Sequence, residues 1–502
     1  MNLASLVEGH PAEARAVHDR GLWYSWGELR RRAGAVARAL AGLGAGPGDR
    51  VALAWPTSVD FVAGYVGALA AGCVAVPLNP KSPVAELERE LAVVAPAVLL
   101  AGGDAVDAAR EAAATTEGAA VTVVPGGAGG PAWEELMDGA EAGFAVVGRD
   151  DDDLAVLLFT SGTSGSAKAA MLTHGNLRAN LEQMRALPGE IIRPDDVSLG
   201  AVPLFHIFGL NVALGLSLAA GSALVLEERF DPESSLEAIR QLGVTNLLGV
   251  PTMFGAWVAL AEEDAATGSA GLPGVRRAVS GAAGLPREVA EGFEAAFGVP
   301  VWQGYGLTEA SPAVATSLGT GRNRPGSVGR PLPGVTLRVV DDAGHDVLDG
   351  DPGEIWVKGP NVFAGYWRDP EASAEVLSPD GWLKTGDIGV VGEEGDLFVV
   401  DRRKDLIIVS GFNVYPGEVE KVVGSLPGVA EAVVVGRSDP VSGEAVDVVI
   451  EVQAGARVTE EQVRDHCGRH LARYKCPTTV RFVAEMPRGL AGKALRRALR
   501  EK

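Results

Sequence analysis

Cysteine is scarce: Cys73, Cys467 and Cys476 are the only three in 502 residues. The count is odd and the spacing fits no metal motif. A disulfide framework is therefore excluded, and a reduced, cytoplasmic setting is expected. Positive charge is also short, with 44 Lys and Arg against 65 Asp and Glu, a net charge of −21. A general nucleic-acid binder needs a basic surface, so no nucleic-acid partner is expected. An anionic small ligand stays open, because a local site can be basic on an acidic protein. The first residues include Glu8 and Glu13 and no continuous apolar run, which predicts no signal peptide. One long uncharged run exists, residues 201–226, enough to span a bilayer. It contains Pro203, His206 and Asn211, and Glu227 and Glu228 follow where basic residues would flank a span. It reads as buried α/β core, so no transmembrane segment is expected.

What is present is globular. Hydrophobic residues make up 47% and charged residues 22%, and the length suggests several domains or subdomains. Over 1–150 helical and strand-like segments alternate: an amphipathic helix opened by Tyr24–Leu29 and running to about Leu43, strands at 49–54 and 73–78, and an apolar helix at 61–71. That order implies parallel pairing. Residues 102–130 are Ala/Gly-rich and read as a pair of short elements near the surface. The alternation resumes over 201–330, with strands expected at 223–226, 246–250, 277–280 and 299–303. Beyond Gly326 come short strands and turns, at 335–340, 353–358, 388–391 and 397–400, with a turn at Asp341–Gly344. From about 402 a separate small domain is expected. It has a helix at 415–426, strands at 430–436, 445–452 and 480–483, a capping box at Thr459–Gln462 and a basic terminal helix.

The chemistry-bearing stretch is residues 154–176. An apolar strand breaks into Thr160-Ser161-Gly162-Thr163-Ser164-Gly165-Ser166-Ala167-Lys168. Glycines let the backbone wrap an anion, hydroxyls and free N–H groups donate to it, and Lys168 adds a point charge. The alternative, a flexible Gly/Ser linker, seldom abuts a buried strand. A Walker A loop fails on spacing, since Ala169 stands where Ser or Thr should follow the lysine. Further on, each after an expected strand, come Ser280-Gly281-Ala282-Ala283-Gly284 and Gln303-Gly304-Tyr305-Gly306-Leu307-Thr308-Glu309. Then follow Lys384-Thr385-Gly386-Asp387, Asp401-Arg402-Arg403-Lys404-Asp405, Ser410-Gly411-Phe412-Asn413 and Gly489-Leu490-Ala491-Gly492-Lys493.

In that order, these strings resemble the adenylate-forming, AMP-binding superfamily, and most of all its acyl-CoA synthetases. The loop departs from the family pattern at Ala167 and Ala169, where Pro and Gly are usual. The resemblance implies an α/β fold with a large N-terminal domain, 1–401. That domain would comprise two α/β subdomains and a small β-barrel-like subdomain. A small mobile α+β C-terminal domain, 402–502, would follow it. It implies that Gly281, Ala282 and Tyr305 sandwich adenine and Gln303 bonds its amine. Thr308 would meet the α-phosphate, Glu309 would hold Mg2+, and Asp387 and Arg402 would bind ribose. Asp401 would be the hinge, Gly411 would line the pantetheine tunnel, and Lys493 would bridge carboxylate and α-phosphate. His206, within Pro203–Gly209, would stand beside the acyl carboxylate; a lone His in an apolar run is otherwise a core residue.

The implied reaction uses ATP, Mg2+ and CoA. A carboxylic acid becomes an acyl-adenylate, which then passes to the thiol of CoA. A medium- or long-chain fatty acid is the expected substrate. The pocket candidates Asn211, Val250, Met253, Phe254, Gly304 and Ala310 are small or apolar, and none is an Arg to pair a second carboxylate. An aryl-CoA ligase, an enzyme loading an acyl carrier protein, and a non-catalytic nucleotide binder remain open. The last class would lose Lys493 or Glu309, and both are present. A monomer or a homodimer is expected.

Overall fold

The computed structural model describes residues 1–116, 121–123, 133, 137, 143–160, 168–263, 271–402, 407–409, 412–414, 416–439, 443–471, 473–488 and 494–500. The chain packs as two compact units, residues 1–337 with 357–384, and residues 338–356 with 385–502.

The first unit is built on two mixed sheets. In the six-stranded sheet the order is Val121–Val123, Val98–Ala101, Arg50–Ala54, Val74–Leu78, Leu154–Thr160 and Lys168–Thr173. All neighbours are parallel except the last pair, an antiparallel hairpin. Val74–Leu78 and Val98–Ala101 are buried at every position, as parallel strands covered on both faces require. Ser25 opens the Trp26–Gly42 helix with a capping box to Glu28. The helix buries Trp26, Leu29, Ala33, Val36 and Leu40 at helical spacing. It packs on the Val59–Ala70 helix, where a Cβ on Gly67 would lie 2.6 Å from Val36 Cβ. Any larger residue there would push the helices apart.

The nine-stranded sheet carries six parallel strands side by side: Val301–Gly306, Arg277–Ser280, Asn246–Gly249, Val197–Gly200, Ala223–Leu226 and Arg15–Asp19. Antiparallel strands close both ends, Ala313–Thr316 and Arg330–Pro331 at one and Leu22–Ser25 at the other. The strand expected at 299–303 runs instead from Val301 to Gly306. Gly304, Tyr305 and Gly306 are drawn into it by pairing with Ala313–Thr316. Glycine has poor strand propensity, so only the partner strand reveals this extension. Residues 201–226 are core, as expected. A π-helical segment, Phe208–Gly215, runs into the Leu216–Ala220 helix and the Ala223–Leu226 strand. Among the described residues no helix is long and apolar enough to cross a membrane.

Two further sheets follow in the chain. A four-stranded sheet has the order Thr336–Val340, Gly353–Lys358, Leu383–Val391 and Leu397–Arg402. The turn at Asp341 forms as expected, its carboxylate accepting from the N–H groups of Ala343 and His345. In the other sheet the long antiparallel pair Val429–Asp439 and Gly443–Val452 is flanked by Ile407–Val409, Phe412–Val414 and the parallel strand Thr479–Val483. Its core joins Val414, Val419, Val434, Val448, Ile450, Val463 and Cys467. Thr459 caps the Glu460–His470 helix reciprocally with Gln462.

Candidate active site

The parallel strands of the nine-stranded sheet deliver their carboxyl ends to one edge. Register sets Ser280 opposite Gln303, Gly249 opposite Ser280 and Gly200 opposite Leu248. The segments holding His206, Val250, Gly281-Ala282 and Thr308-Glu309 therefore leave the sheet side by side. That edge is where open α/β sheets bind ligands.

Each segment is shaped by close packing. In 203–209 a Cβ on Gly209 would fall 2.2 Å from the Pro203 carbonyl oxygen, so the turn there is open only to glycine. Leu204 N–H donates to Thr57 Oγ1 at 3.2 Å, and His206 Nδ1 accepts from Phe208 N–H at 3.2 Å. Gly281 N–H donates to the Gly249 carbonyl, Ala282 sits at φ +67°, and the Phe208 ring packs over Gly281. Gln303 is buried. Its Oε1 accepts from Leu285 N–H and its Nε2 donates to the Ser327 carbonyl, both at 3.2 Å. The Gln303 amide thus ties the 281–285 loop to the strand beside it. Among the pocket candidates, Phe254 is wholly buried against Trp257 and Phe293.

The Thr308–Ala310 turn is held by buried amides from distant elements. Asn361 Nδ2 donates to the carbonyls of Ala310 (2.9 Å) and Ala313 (3.2 Å). Asn180 exchanges two bonds with Ala313, and Asn211 Nδ2 donates to the Ser311 carbonyl at 2.7 Å. Gln183 links the set by donating to Asn361 Oδ1. Buried amides spent on backbone carbonyls leave the turn little freedom.

Lys168 and Glu309 meet at a residue that motif reading passed over. The hairpin sets Thr160 opposite Lys168. Along the same strand, Met171 N–H donates to the Gly365 carbonyl, and the Ala364 and Trp367 N–H groups donate to the carbonyls of Met171 and Ala169. This pairing brings in Tyr366, whose ring centroid lies 5.4 Å from Lys168 Nζ. The Tyr366 hydroxyl donates to Glu309 Oε1 at 2.7 Å. Burial and the Glu309 carboxylate push the phenol pKa upward, so it remains a donor. Phe363 N–H also bonds the Glu309 carbonyl. Among the described residues Lys168 has no carboxylate partner and Glu309 Oε2 no donor. No local signal marks Tyr366, Asn180 or Asn361, because each acts across long sequence separations.

In the second unit Asp387 is buried, and the ladder sets it opposite Arg402, with Ile388 opposite Asp401. Asp387 N–H donates to Thr385 Oγ1 at 3.1 Å, and Thr385 Oγ1 donates to the Ile355 carbonyl at 2.7 Å. Gly386 N–H bonds Glu354 Oε1. Lys493, Gly411 and the loop residues Ser161, Gly162, Thr163, Ser164 and Gly165 lie outside the described residues.

Comparison with known proteins identifies the family. The model of the AMP-binding enzyme family matches residues 3–367, and that of the AMP-binding enzyme C-terminal domain matches 418–493. The chain belongs to the AMP-binding enzyme family, the adenylate-forming acyl-CoA synthetases. It is an AMP-forming acid–thiol ligase. A long-chain-fatty-acid–CoA ligase of Yersinia pestis is 36% identical over 99% of this chain and 94% of its own length. A feruloyl-CoA synthase of an Amycolatopsis species is 36% identical over 97% of this chain and 96% of its own. The ATP-bound crystal structure of MatB from Rhodopseudomonas palustris superposes with a TM-score of 0.91 at 35% identity, covering 100% of this chain and 98% of that one.

Proposed function

We propose that the chain activates a medium- or long-chain fatty acid with ATP and transfers it to CoA. The observation that carries this reading is the meeting of Lys168 and Glu309 at Tyr366, beside Thr308 and the Gly281–Tyr305 edge. A carboxylate oxygen attacks the α-phosphorus, and pyrophosphate leaves. The sulfur of the thiol then attacks the acyl carbon, AMP leaves, and the thiol proton passes to solvent. Both steps are catalysed by positioning and charge neutralisation, without a side-chain nucleophile.

Gly281, Ala282 and Tyr305 take the purine, with Gln303 as partner of its amine or as brace of its loop. Thr308 and residues 160–165 donate to the phosphates, and Lys168 neutralises them. His206 faces the acid. Asp387 and Arg402 hold the ribose. Glu309 fits Mg2+: one carboxylate oxygen is anchored by Tyr366, while its other oxygen has no donor among the described residues. The ion would add charge neutralisation at the phosphates. Lys493 serves the first half-reaction and withdraws by rotation about Asp401, and Gly411 then lines the pantetheine path. The setting is cytoplasmic, in keeping with three free thiols.

The relative named for a long-chain fatty acid supports the substrate class. An aromatic acid is the second reading, favoured by the similarity to a feruloyl-CoA synthase. AMP release measured over fatty and aromatic acids, with CoA and with a phosphopantetheinyl carrier, tests both. AMP released with fatty acids and free CoA is expected. Release with aromatic acids alone installs the second reading, and no AMP with any acid removes both. In the same assay Lys493→Ala should abolish adenylate formation yet still convert supplied acyl-adenylate to thioester.

A further inference from the structure

We infer that Tyr366 is a positioning residue that keeps Lys168 and Glu309 apart and both ready for the magnesium–ATP complex. The inference rests on the proposed adenylating function. Lys168 and Glu309 carry opposite charges and approach the same ring. Joined directly, they would form an ion pair, each charge compensated by the other instead of facing the ligand. Tyr366 holds each by a contact that leaves the charge intact. Its face attracts the ammonium at 5.4 Å, and its hydroxyl donates to one carboxylate oxygen at 2.7 Å. The ring is itself fixed. It is buried and meets Phe363 edge-on at 5.0 Å between centroids, and the Tyr366 backbone N–H donates to Ser373 Oγ at 2.8 Å. The sides of the site come from different sheets, Lys168 from the six-stranded one and Glu309 from the turn after Val301–Gly306. Tyr366 is the side chain that bridges them.

The test is calorimetric binding of ATP to the full chain, with magnesium and with EDTA. Tyr366→Phe keeps the ring and removes the hydroxyl. It should weaken magnesium–ATP binding about tenfold while leaving binding in EDTA unchanged. Tyr366→Leu removes both contacts and should weaken binding about fivefold in EDTA as well. KM for the acid should not move in Tyr366→Phe. In a Glu309→Gln background, Tyr366→Phe should have no further effect, and this cycle separates positioning from general loss of structure. Wild-type binding by Tyr366→Phe, or an undiminished effect in the Glu309→Gln background, overturns the inference alone. A wild-type chain that binds no ATP, or Glu309→Gln binding magnesium–ATP as wild type does, overturns the proposed function with it.

Discussion

Two carboxylates, Glu309 and Asp387, stand at comparable points of their motifs, each after a Gly-containing strand segment, yet they are held by opposite means. Glu309 is held from afar. Its hydroxyl donor, Tyr366, is 57 residues away, and its turn is braced by Asn180, Asn211 and Asn361. The backbone at Asp387 is held by neighbours in its own sheet: its N–H donates to Thr385 Oγ1 and the preceding Gly386 N–H to Glu354 Oε1. A third carboxyl, Glu90, is held by neither means: its Oε2 is buried with no donor among the described residues. Burial, and then the nearby Glu86, push its pKa from 4.5 to about 8. Glu309 is given a hydroxyl donor from afar, whereas Glu90 is buried without one and holds its proton.

The most severe way to break this comparison is to neutralise Glu309. Glu309→Gln should lower adenylate formation by about two to three orders of magnitude, read as pyrophosphate release against magnesium concentration. Removing a brace should affect folding first. Asn361→Ala strands the Ala310 carbonyl and the Gln183 amide, and should cost about 3 kcal/mol in denaturant unfolding. Glu90→Gln sharpens the third case with the opposite sign. The folded state binds a proton there that the unfolded state releases near 4.5, so wild-type stability falls as pH rises from 4.5 to about 8. The variant should be more stable by roughly 2 kcal/mol at pH 7 and indistinguishable below pH 4. The local hold on Asp387 should give the smallest effect. Thr385→Val removes the contacts to the Asp387 N–H and the Ile355 carbonyl, and should cost about 1 kcal/mol with a modest rise in KM for ATP.

Legibility followed the same division. The Thr459 capping box and the Asp341 turn rest on contacts within a few residues, and each formed where expected; the strand at 277–280 also formed where expected, its apolar residues marking it before its distant partners do. The strand through Tyr305 and Gly306 was missed in part because its partner decides it. Lys168, Thr308 and Glu309 stood out by residue type in a Gly-rich setting. Tyr366 did not, since a tyrosine between Gly365 and Trp367 announces no partner.

The chain alone determined which groups are present: a hydroxyl- and glycine-rich loop ending in a lysine, an acid beside a threonine, and alternating elements that make parallel sheets. These follow from local chemistry and periodicity, which a linear string records in full. Only the tertiary structure decided that four loop segments leave one sheet edge together, and that one ring lies between a cation and a carboxylate from different sheets. Such contacts depend on register and packing between elements far apart in the chain, and no short stretch encodes them.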